Sequence, residues 1–455
     1  MDEMSVSPAR AAAFEILLKI EREQSYASEL LHSPRFSKLS RPDHRLATEL
    51  VMGVLRWQSW LDQHVAHVSS QKLERLDPEV LATLRLGAYQ LMFLSRVPGR
   101  AAIFESVELV KAARKRSAAS FVNALLRKLA NKVPADSNSK KIGENVFLEI
   151  DQSADAPALA RTAAHPEWLV ARWIARYGIE IARQICAYDQ RVPATSIRID
   201  DDSLLLELAA DDIQPAPAHL LSTARTLLSG DITRSRAYGE GRVAIQDEGS
   251  QLVGLLVGRG ERILDCCAAP GGKTAVLAAR NPEATIVAAD LHPHRARILR
   301  EFTHRPNIHT IASDARQLPF TSSFDRILAD VPCSGTGTLA RHPEIKWGLR
   351  ADDLIDLQAR QIAILRSALA QLTPGGRLVY STCSMEHEEN EAVIEAVLDA
   401  EPDFKIIDCR QELENLHRSG ELKIREIETL LDGPCLRTIP GVHPCDGFFA
   451  AIIER

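Results

Sequence analysis

The chain has 455 residues, 45% of them hydrophobic and 25% charged, with a net charge of −6. That is enough for two to three globular domains with full-sized cores, and no run of about 18 apolar residues is present to span a membrane. The charge is uneven: residues 1 to 135 carry 20 Lys+Arg against 14 Asp+Glu, a surplus of +6, and the remainder is −12. The N-terminal part is therefore the better candidate for contact with a polyanion. The start, Met1-Asp2-Glu3-Met4, has neither a basic region nor an apolar core, so no secretory signal is expected and the cytoplasm is the expected location. The eight cysteines form no CxxC pair and no compact Cys/His cluster, so neither a metal site nor a disulfide framework is expected.

In chain order, helical periodicity covers Ala11 to Ile20, Asp43 to His67, Pro78 to Ser95, Ala101 to Ala113 and Ser117 to Asn131, with no strand-like alternation. Residues 1–135 are read as an all-helical domain. Residues 136–164, with Ser137-Asn138-Ser139-Lys140-Lys141 and Asp151-Gln152-Ser153-Ala154-Asp155, are rich in loop-type residues and are read as a linker. Residues 165–240 mix a helix opening at His165-Pro166-Glu167-Trp168, a strand at Thr195 to Ile199 and a short helix at Leu204 to Ala210, a small α+β insert. In 241–455, apolar runs at Arg262 to Cys266, Thr285 to Ala289, Ile308 to Ala312, Phe324 to Ala329 and Gly376 to Ser381 are separated by helical segments. That alternation predicts a mostly parallel, doubly wound sheet, with Phe404 to Asp408 and Gly447 to Ile453 as closing strands.

Ligands of such sheets lie beyond the carboxyl ends of the strands, where the informative residues here fall. Pro270-Gly271-Gly272 gives a tight turn without Cβ crowding, followed by a helix whose first N–H groups are free for a cofactor carboxylate or ribose oxygen. Asp290 ends the second strand about 20 residues on, where an acid can accept both ribose hydroxyls of an adenosine. Asp314, past the third strand, could take the adenine amino group, although strand-end capping is the alternative for either acid. Gly272-Lys273-Thr274 also invites a phosphate-loop reading, but that pattern needs glycine where this chain has Cys267.

Cys333, in Asp330-Val331-Pro332-Cys333-Ser334-Gly335, and Cys383, in Ser381-Thr382-Cys383-Ser384, each follow an apolar strand. The C5 carbon of a pyrimidine is a poor nucleophile until something adds at C6, and a thiolate adds there reversibly. A thiol with pKa about 8.5 needs a cation or dipole to ionise at neutral pH, and Lys273 is the candidate. The adduct places negative charge on the ring, which the carboxyl of Asp330 is suited to relieve by a proton or hydrogen bond at N3. Either cysteine could attack, leaving the other to assist loss of the C5 proton. Cys186, Cys266, Cys409, Cys435 and Cys445 read as small buried hydrophobes.

Asp330-Val331-Pro332-Cys333-Ser334-Gly335-Thr336-Gly337, Tyr380-Ser381-Thr382-Cys383-Ser384 and Cys267-Ala268-Ala269-Pro270-Gly271-Gly272-Lys273 together resemble the RNA cytosine-5 methyltransferases of the NOL/NOP/Sun family. The likeness runs from about Arg242-Val243-Ala244-Ile245-Gln246-Asp247 to Asp446-Gly447-Phe448-Phe449. It implies a Rossmann-like α/β methyltransferase domain and S-adenosylmethionine as donor. Cys267, Ala268, Ala269, Pro270, Gly271, Gly272, Lys273, Asp290, Asp314 and Asp330 would line the cofactor and target pocket. Cys383 falls on the family's attacking cysteine, Cys333 on the one that aids product release, Lys273 on its lysine and Asp330 on its motif acid. His292-Pro293-His294, after Asp290, departs from the pattern beside the expected ribose contact.

Ala9 to Leu17 and Phe121 to Arg127 look like a NusB-type RNA-binding domain, and NusB-like helices ahead of this core are the arrangement of bacterial Sun-type enzymes acting on 16S ribosomal RNA. Lys111-Ala112-Ala113-Arg114-Lys115-Arg116 is the densest basic cluster, a phosphate contact or a solvated helix face. His342 to Trp347 could line the substrate side, and Trp347 could equally be core. Chemistry at C5 requires an exposed base, so the expected partner is single-stranded RNA or a flipped-out cytosine, with the protein a monomer. The same chemistry on transfer RNA, or a non-catalytic NusB-like RNA-binding factor, are the competing expectations.

Overall fold

The computed structural model describes residues 6–23, 25–132, 139–303, 305–320 and 323–455, divided into two units. The first comprises Met1–Val192 and Leu339–Leu349; the second comprises Pro193–Thr338 and Arg350–Arg455. Among the described residues no helix is long and apolar enough to cross a membrane.

The first unit is helical: α1 (Pro8–Glu23), α2 (Ala27–Leu31), α3 (Arg41–Val68), α4 (Pro78–Phe93), α5 (Gly99–Ala112), α6 (Ala119–Lys132), α7 (Ser139–Gln152), α8 (Ala156–Thr162), α9 (Glu167–Tyr177) and α10 (Ile179–Asp189). Helix α4 carries the core, burying Leu84, Leu86 and Ala88 among its neighbours, with Leu50, Val51 and Val54 of α3 and Val122 and Leu126 of α6 buried at the same helical spacing. Helix starts follow local chemistry. Ser40 caps α3 by accepting the Asp43 N–H, and Asp155 caps α8 by accepting the Ala158 N–H at 2.8 Å.

Two expected boundaries move. The linker expected over 136–164 begins outside the described residues, but 139–152 and 156–162 are helical. Val146 and Ile150, four apart, are both buried, Asp151 and Gln152 end α7, and Ser153 to Asp155 are the break and cap between two helices. Residues 165–192, expected with the α+β insert, belong to the helical unit, where Leu169, Val170 and Trp173 of α9 and Ile185 of α10 are buried. The expected continuous domain 241–455 is also interrupted, because 339–349 is part of the helical unit. There the Trp347 indole N–H donates to the Leu55 carbonyl at 2.6 Å and Arg56 donates to the Ala340 carbonyl at 2.9 Å. Glu344 accepts the Ala27 N–H at 3.0 Å. Glu344, Lys346 and Trp347 thus pack into this unit, with His342, Ile345 and Trp347 half-buried.

The second unit opens with an antiparallel sheet of β1 (Ser196–Ile199), β2 (Gln214–Pro217), β3 (Ala224–Ser229) and β4 (Val243–Ile245), in the order β2-β3-β1-β4. Its larger sheet contains β5 (Arg262–Asp265), β6 (Thr285–Asp290), β7 (Ile308–Ala312), β8 (Phe324–Asp330), β9 (Leu372–Thr382), β10 (Lys405–Ile407), β11 (Leu431–Asp432), β12 (Cys435–Thr438) and β13 (Phe448–Glu454). The order is β11-β12-β13-β9-β8-β5-β6-β7, with β10 beside β13. Strands β5 to β9 pair in parallel, and β13 closes antiparallel on β9.

The strands supply two cores by strict alternation. Ile263, Leu328, Val379 and Ile452 pack on one face with Leu252, Leu256 and Leu277. Leu264, Ile327, Ala329, Leu378, Tyr380 and Phe449 pack on the other with Ile364, Leu365 and Leu369. The chain runs β5, β6, β7 outward and then returns to β8 on the other side of β5, creating the switch point at which open sheets hold ligands.

Candidate functional site

The loops leaving β5, β8 and β9 meet at that switch point. After β5 the backbone turns from Cys266 to Gly272, tied by Cys266 N–H to the Leu328 carbonyl and by Ala268 N–H to the Ala289 carbonyl. The Ala269-Pro270 peptide is cis. Gly271 has φ +115°, and a Cβ there would stand 2.9 Å from Leu299 Cδ1 and 3.0 Å from Thr303 Cγ2, so only glycine fits. The helix Gly272–Arg280 follows directly, its first N–H groups opening on the turn.

Strand-end acids surround this turn. Asp265 is fully buried and accepts the Thr274 hydroxyl at 2.7 Å, with the Cys267 backbone N–H also favouring its charged form. Burial pushes its pKa up to about 7, against the hydrogen bond from Thr274. Asp290, at the end of β6, is 4% exposed and accepts the His292 N–H at 3.1 Å. Arg295 donates to the Ala269 carbonyl at 3.1 Å and lies 3.8 Å from the Asp290 carboxylate, linking the two loops. Asp314 does the capping work named as its alternative: it accepts the Arg316 N–H at 2.9 Å and forks with that guanidinium at 2.6 and 3.0 Å. The Arg316 hydrogen bond holds the Asp314 carboxyl below its usual range.

Lys273, on the first turn of Gly272–Arg280, donates to Asp330 at 2.7 Å, and Ser381 donates to the other Asp330 oxygen at 2.7 Å. Its ammonium lies 5.1 Å from the Phe448 ring centre. Burial pulls the Lys273 pKa down, but the charge and hydrogen bond of Asp330 and the sulfur of Cys383 more than offset it, leaving it above the ordinary lysine value. The sulfurs of Cys333, after β8, and Cys383, after β9, are 3.4 Å apart. The Cys333 thiol is pushed well above its ordinary pKa, first by its hydrogen bond to the Cys383 sulfur and then by burial.

The two cysteine loops touch through backbone. Gly337 N–H donates to the Cys383 carbonyl at 2.9 Å and Gly447 N–H to the Gly337 carbonyl at 2.8 Å. A Cβ on Gly337 would stand 2.3 Å from the Gly447 oxygen, a close approach that explains both glycines.

Cys383, Cys333, Asp330 and Lys273 are therefore gathered in one place, with the turn Cys267 to Gly272 at its edge and Asp290 and Asp314 at the neighbouring strand ends. Cys186, Cys266, Cys409, Cys435 and Cys445 are all buried, whereas Cys267, Cys333 and Cys383 are half-buried. Sequence reasoning gave no role to Asp265, Ser381, Gln361, Glu389 or Asn390. Ser381 and Asp265 were visible as polar residues ending apolar strands; Glu389 and Asn390 were hidden inside the charged run Glu386 to Glu391, which reads as solvent-facing. Among the described residues no group of three or more His, Cys, Asp or Glu side chains is placed to hold a metal ion. Of the basic cluster, Lys111 pairs with Glu108 at 2.8 Å and Lys115 with Asp77 at 2.9 Å.

Comparison with known proteins agrees with this geometry. Residues 254–454 match the family model of the 16S rRNA methyltransferase RsmB/F, and residues 7–131 match the NusB family. The chain is 36% identical over 467 residues to a probable ribosomal RNA small subunit methyltransferase B of Bacillus subtilis, covering 99% of this chain and 100% of that protein. It is 31% identical to the ribosomal RNA small subunit methyltransferase B of Vibrio cholerae, covering 98% and 97%. A crystal structure of a methyltransferase homologue from Pyrococcus horikoshii superimposes with a TM-score of 0.53 at 27% identity, over 65% of this chain and 97% of that one.

Proposed function

Because the chain belongs to the RsmB/F family of 16S ribosomal RNA methyltransferases, we propose that it methylates C5 of a cytosine in 16S ribosomal RNA through a transient bond between Cys383 and C6. The observation that carries this reading is the pair of sulfurs 3.4 Å apart beside the Lys273–Asp330 ion pair. Cys333 and Cys383 share one sulfur–sulfur hydrogen bond, and the Lys273 ammonium offers positive charge to the Cys383 sulfur, which supports assigning the attack to Cys383.

The cofactor turn fits S-adenosylmethionine: Gly271 clears the approach, and Asp290 stands where ribose hydroxyls would be received. When bound, that molecule supplies an electrophilic methyl carbon. The protein's part is nucleophilic and acid–base. The Cys383 sulfur bonds to C6, which moves the C5=C6 electron pair onto C5 as the attacking centre. Asp330 is the group assigned to N3, passing a proton from solvent to the ring nitrogen and taking it back as the product leaves, while the Lys273 ammonium 2.7 Å away keeps its charge. With Cys383 occupied as a thioether, Cys333 gives its own thiol proton to solvent and then, as the thiolate, takes the C5 proton; the C5=C6 bond re-forms and the S–C6 bond breaks, with Cys383 leaving as the thiolate. The NusB-type helices would bring RNA to the site, with the base presented single-stranded or flipped out.

Cys383→Ala should abolish methyl transfer, and Cys333→Ala should leave protein covalently attached to RNA on a denaturing gel. Full turnover by Cys383→Ala refutes the scheme. Bisulfite sequencing of RNA from a deletion strain should show one 16S cytosine unprotected; loss of a transfer RNA mark with an unchanged 16S map would transfer the chemistry to another substrate. Calorimetric titration with S-adenosylmethionine should show uptake, and its absence would favour a binding factor without catalysis.

A further inference from the structure

Behind the two cysteines lies a buried side chain that the scheme above does not use. Glu389 is 0% exposed, and its carboxylate receives four donors. The Ser334 N–H donates at 2.8 Å and the Gln361 amide at 2.9 Å to one oxygen; the hydroxyls of Ser334 and Ser384 donate to the other. A carboxylate offers four lone-pair sites, so these donors fill it. Ser334 follows Cys333 and Ser384 follows Cys383, so one carboxylate grips the residue next to each sulfur. Its neighbour Asn390 completes the grip on the second loop: its amide donates to the Ser384 carbonyl at 2.9 Å and its carbonyl accepts the Thr382 hydroxyl, one on each side of Cys383. Tyr380 fixes the backbone of the pair by donating to the Glu389 carbonyl at 2.6 Å. The first loop is held again where the Met385 N–H donates to Thr336 Oγ1 at 2.9 Å.

This arrangement is specific to relating two loops. Strands β8 and β9 are already paired up to Asp330 and Ser381, so the sheet fixes where each loop starts. What the sheet leaves open is the spacing of the sulfurs two to three residues farther on; the loops are tied there by the Gly337 N–H on the Cys383 carbonyl and by the Ser334 hydroxyl 3.1 Å from that of Ser384, and both of those hydroxyls donate to Glu389. Buried acceptors this fully satisfied hold geometry tightly, because losing any donor leaves a desolvated group unpaired.

We propose that Glu389 is a positioning residue that sets Cys333 against Cys383, so that proton removal and release follow methyl transfer. The proposal rests on the division of labour between the cysteines given above. Glutamine at 389 keeps the shape but turns one acceptor oxygen into an amide donor, which either faces the Ser334 N–H and the Gln361 amide or makes the Ser334 and Ser384 hydroxyls reverse from donors to acceptors, loosening one loop from the other. The prediction is a split between steps: attack by Cys383 persists, while release, which needs Cys333 at contact distance, slows.

The experiment follows Glu389→Gln, Cys333→Ala and the double variant in the full-length protein, incubated with S-adenosylmethionine and in-vitro-transcribed 16S RNA. It reads multiple-turnover methylation and the amount of denaturation-stable RNA–protein complex. Glu389→Gln should lose roughly 10- to 100-fold in turnover, the scale on which small misplacement costs an enzyme, while complex accumulates. The double variant should hold no more complex than Cys333→Ala alone. Turnover lost without accumulation of complex, or turnover unchanged, overturns the proposal. Should Glu389→Gln not fold, Ser334→Ala removes one hydroxyl donor from the same carboxylate and must show the same split in weaker form; turnover and complex both as in the native protein would overturn it equally. If Cys333→Ala itself gives no complex, the assignment of cysteine roles has failed; if it does and Glu389→Gln does not, only the positioning role has.

Discussion

Two lysines hidden from water, one in each unit, face opposite fates. Lys273 in the catalytic unit has 13% of its side chain exposed and Lys346 in the helical unit is 2% exposed. Lys273 meets a carboxylate, Asp330, and its pKa rises despite burial. Lys346 donates to the carbonyls of Arg56 at 2.9 Å and Ala164 at 3.0 Å, and burial brings its pKa down to about 7, with the more distant Asp189 raising it only in part. A carbonyl satisfies a hydrogen bond but does not neutralise a charge. Lys273 is thus built to keep a charge where chemistry needs it, and Lys346 to clasp the segment 339–349 into the helical unit.

The sharpest break of that contrast is removal of each charge in turn. Lys273→Met should lower methyl transfer by ~100- to 1,000-fold, the usual scale for losing one preorganised electrostatic partner. It should leave the helical unit unchanged, which can be read separately because all five tryptophans, at 57, 60, 168, 173 and 347, lie in that unit. A loss below ~3-fold would mean that Lys273 only fills space and that the scale in question does not apply. Lys346→Met removes the ammonium donor from the Ala164 carbonyl and leaves the Arg56 carbonyl with the Gln190 amide at 3.1 Å, and should destabilise the helical unit by ~1–3 kcal/mol in urea titrations followed by tryptophan fluorescence. A higher midpoint would show that the cost of burying the ammonium exceeds the worth of its hydrogen bonds.

The sequence made one of these lysines legible and not the other. Lys273 sits in a glycine turn between a strand and a helix, a local pattern whose chemistry is carried by adjacent residues. Lys346 has meaning only through Arg56 and Ala164, separated from it by 290 and 182 positions. The same division runs through the whole molecule. The parallel strands were visible because alternation and turn residues are local, and Cys333 and Cys383 because each follows such a strand. Glu389 was not, because a buried carboxylate in the run Glu386 to Glu391 looks like any charged helix start until the Ser334 and Ser384 hydroxyls are placed on it. The expected linker differs in the same way: Asp151 to Asp155 are loop-type residues, but Asp151 and Gln152 end α7 and Asp155 caps α8.

Titration sharpens the contrast further. The folded-state pKa of Lys346, about 7, lies below the 10.5 of an unfolded lysine. Between these values the unfolded chain binds more protons, so stability of the helical unit should rise as pH increases from 7 toward 10.5, by at most ~1.4 kcal/mol per pH unit. Below about 7 this group contributes no further change. Lys346→Met should abolish the rise; a rise that survives in the variant belongs to another group.

Asp265 should show the smallest effect and the opposite sign. Its folded pKa, about 7, lies above the 3.8 of an unfolded aspartate, so the unfolded chain gives up its proton first as pH increases. Across that window the native state holds more protons, and the catalytic unit should lose stability from this group as pH rises from about 4 to 7. Asparagine can still accept the Thr274 hydroxyl, so Asp265→Asn should match the native protein in thermal unfolding at pH 4 and exceed it by a margin that grows to about pH 7. If the variant gained stability equally at both pH values, shape and not charge would be the burden at 265. The argument that partner type decides the fate of a buried ion would then hold for the lysines alone.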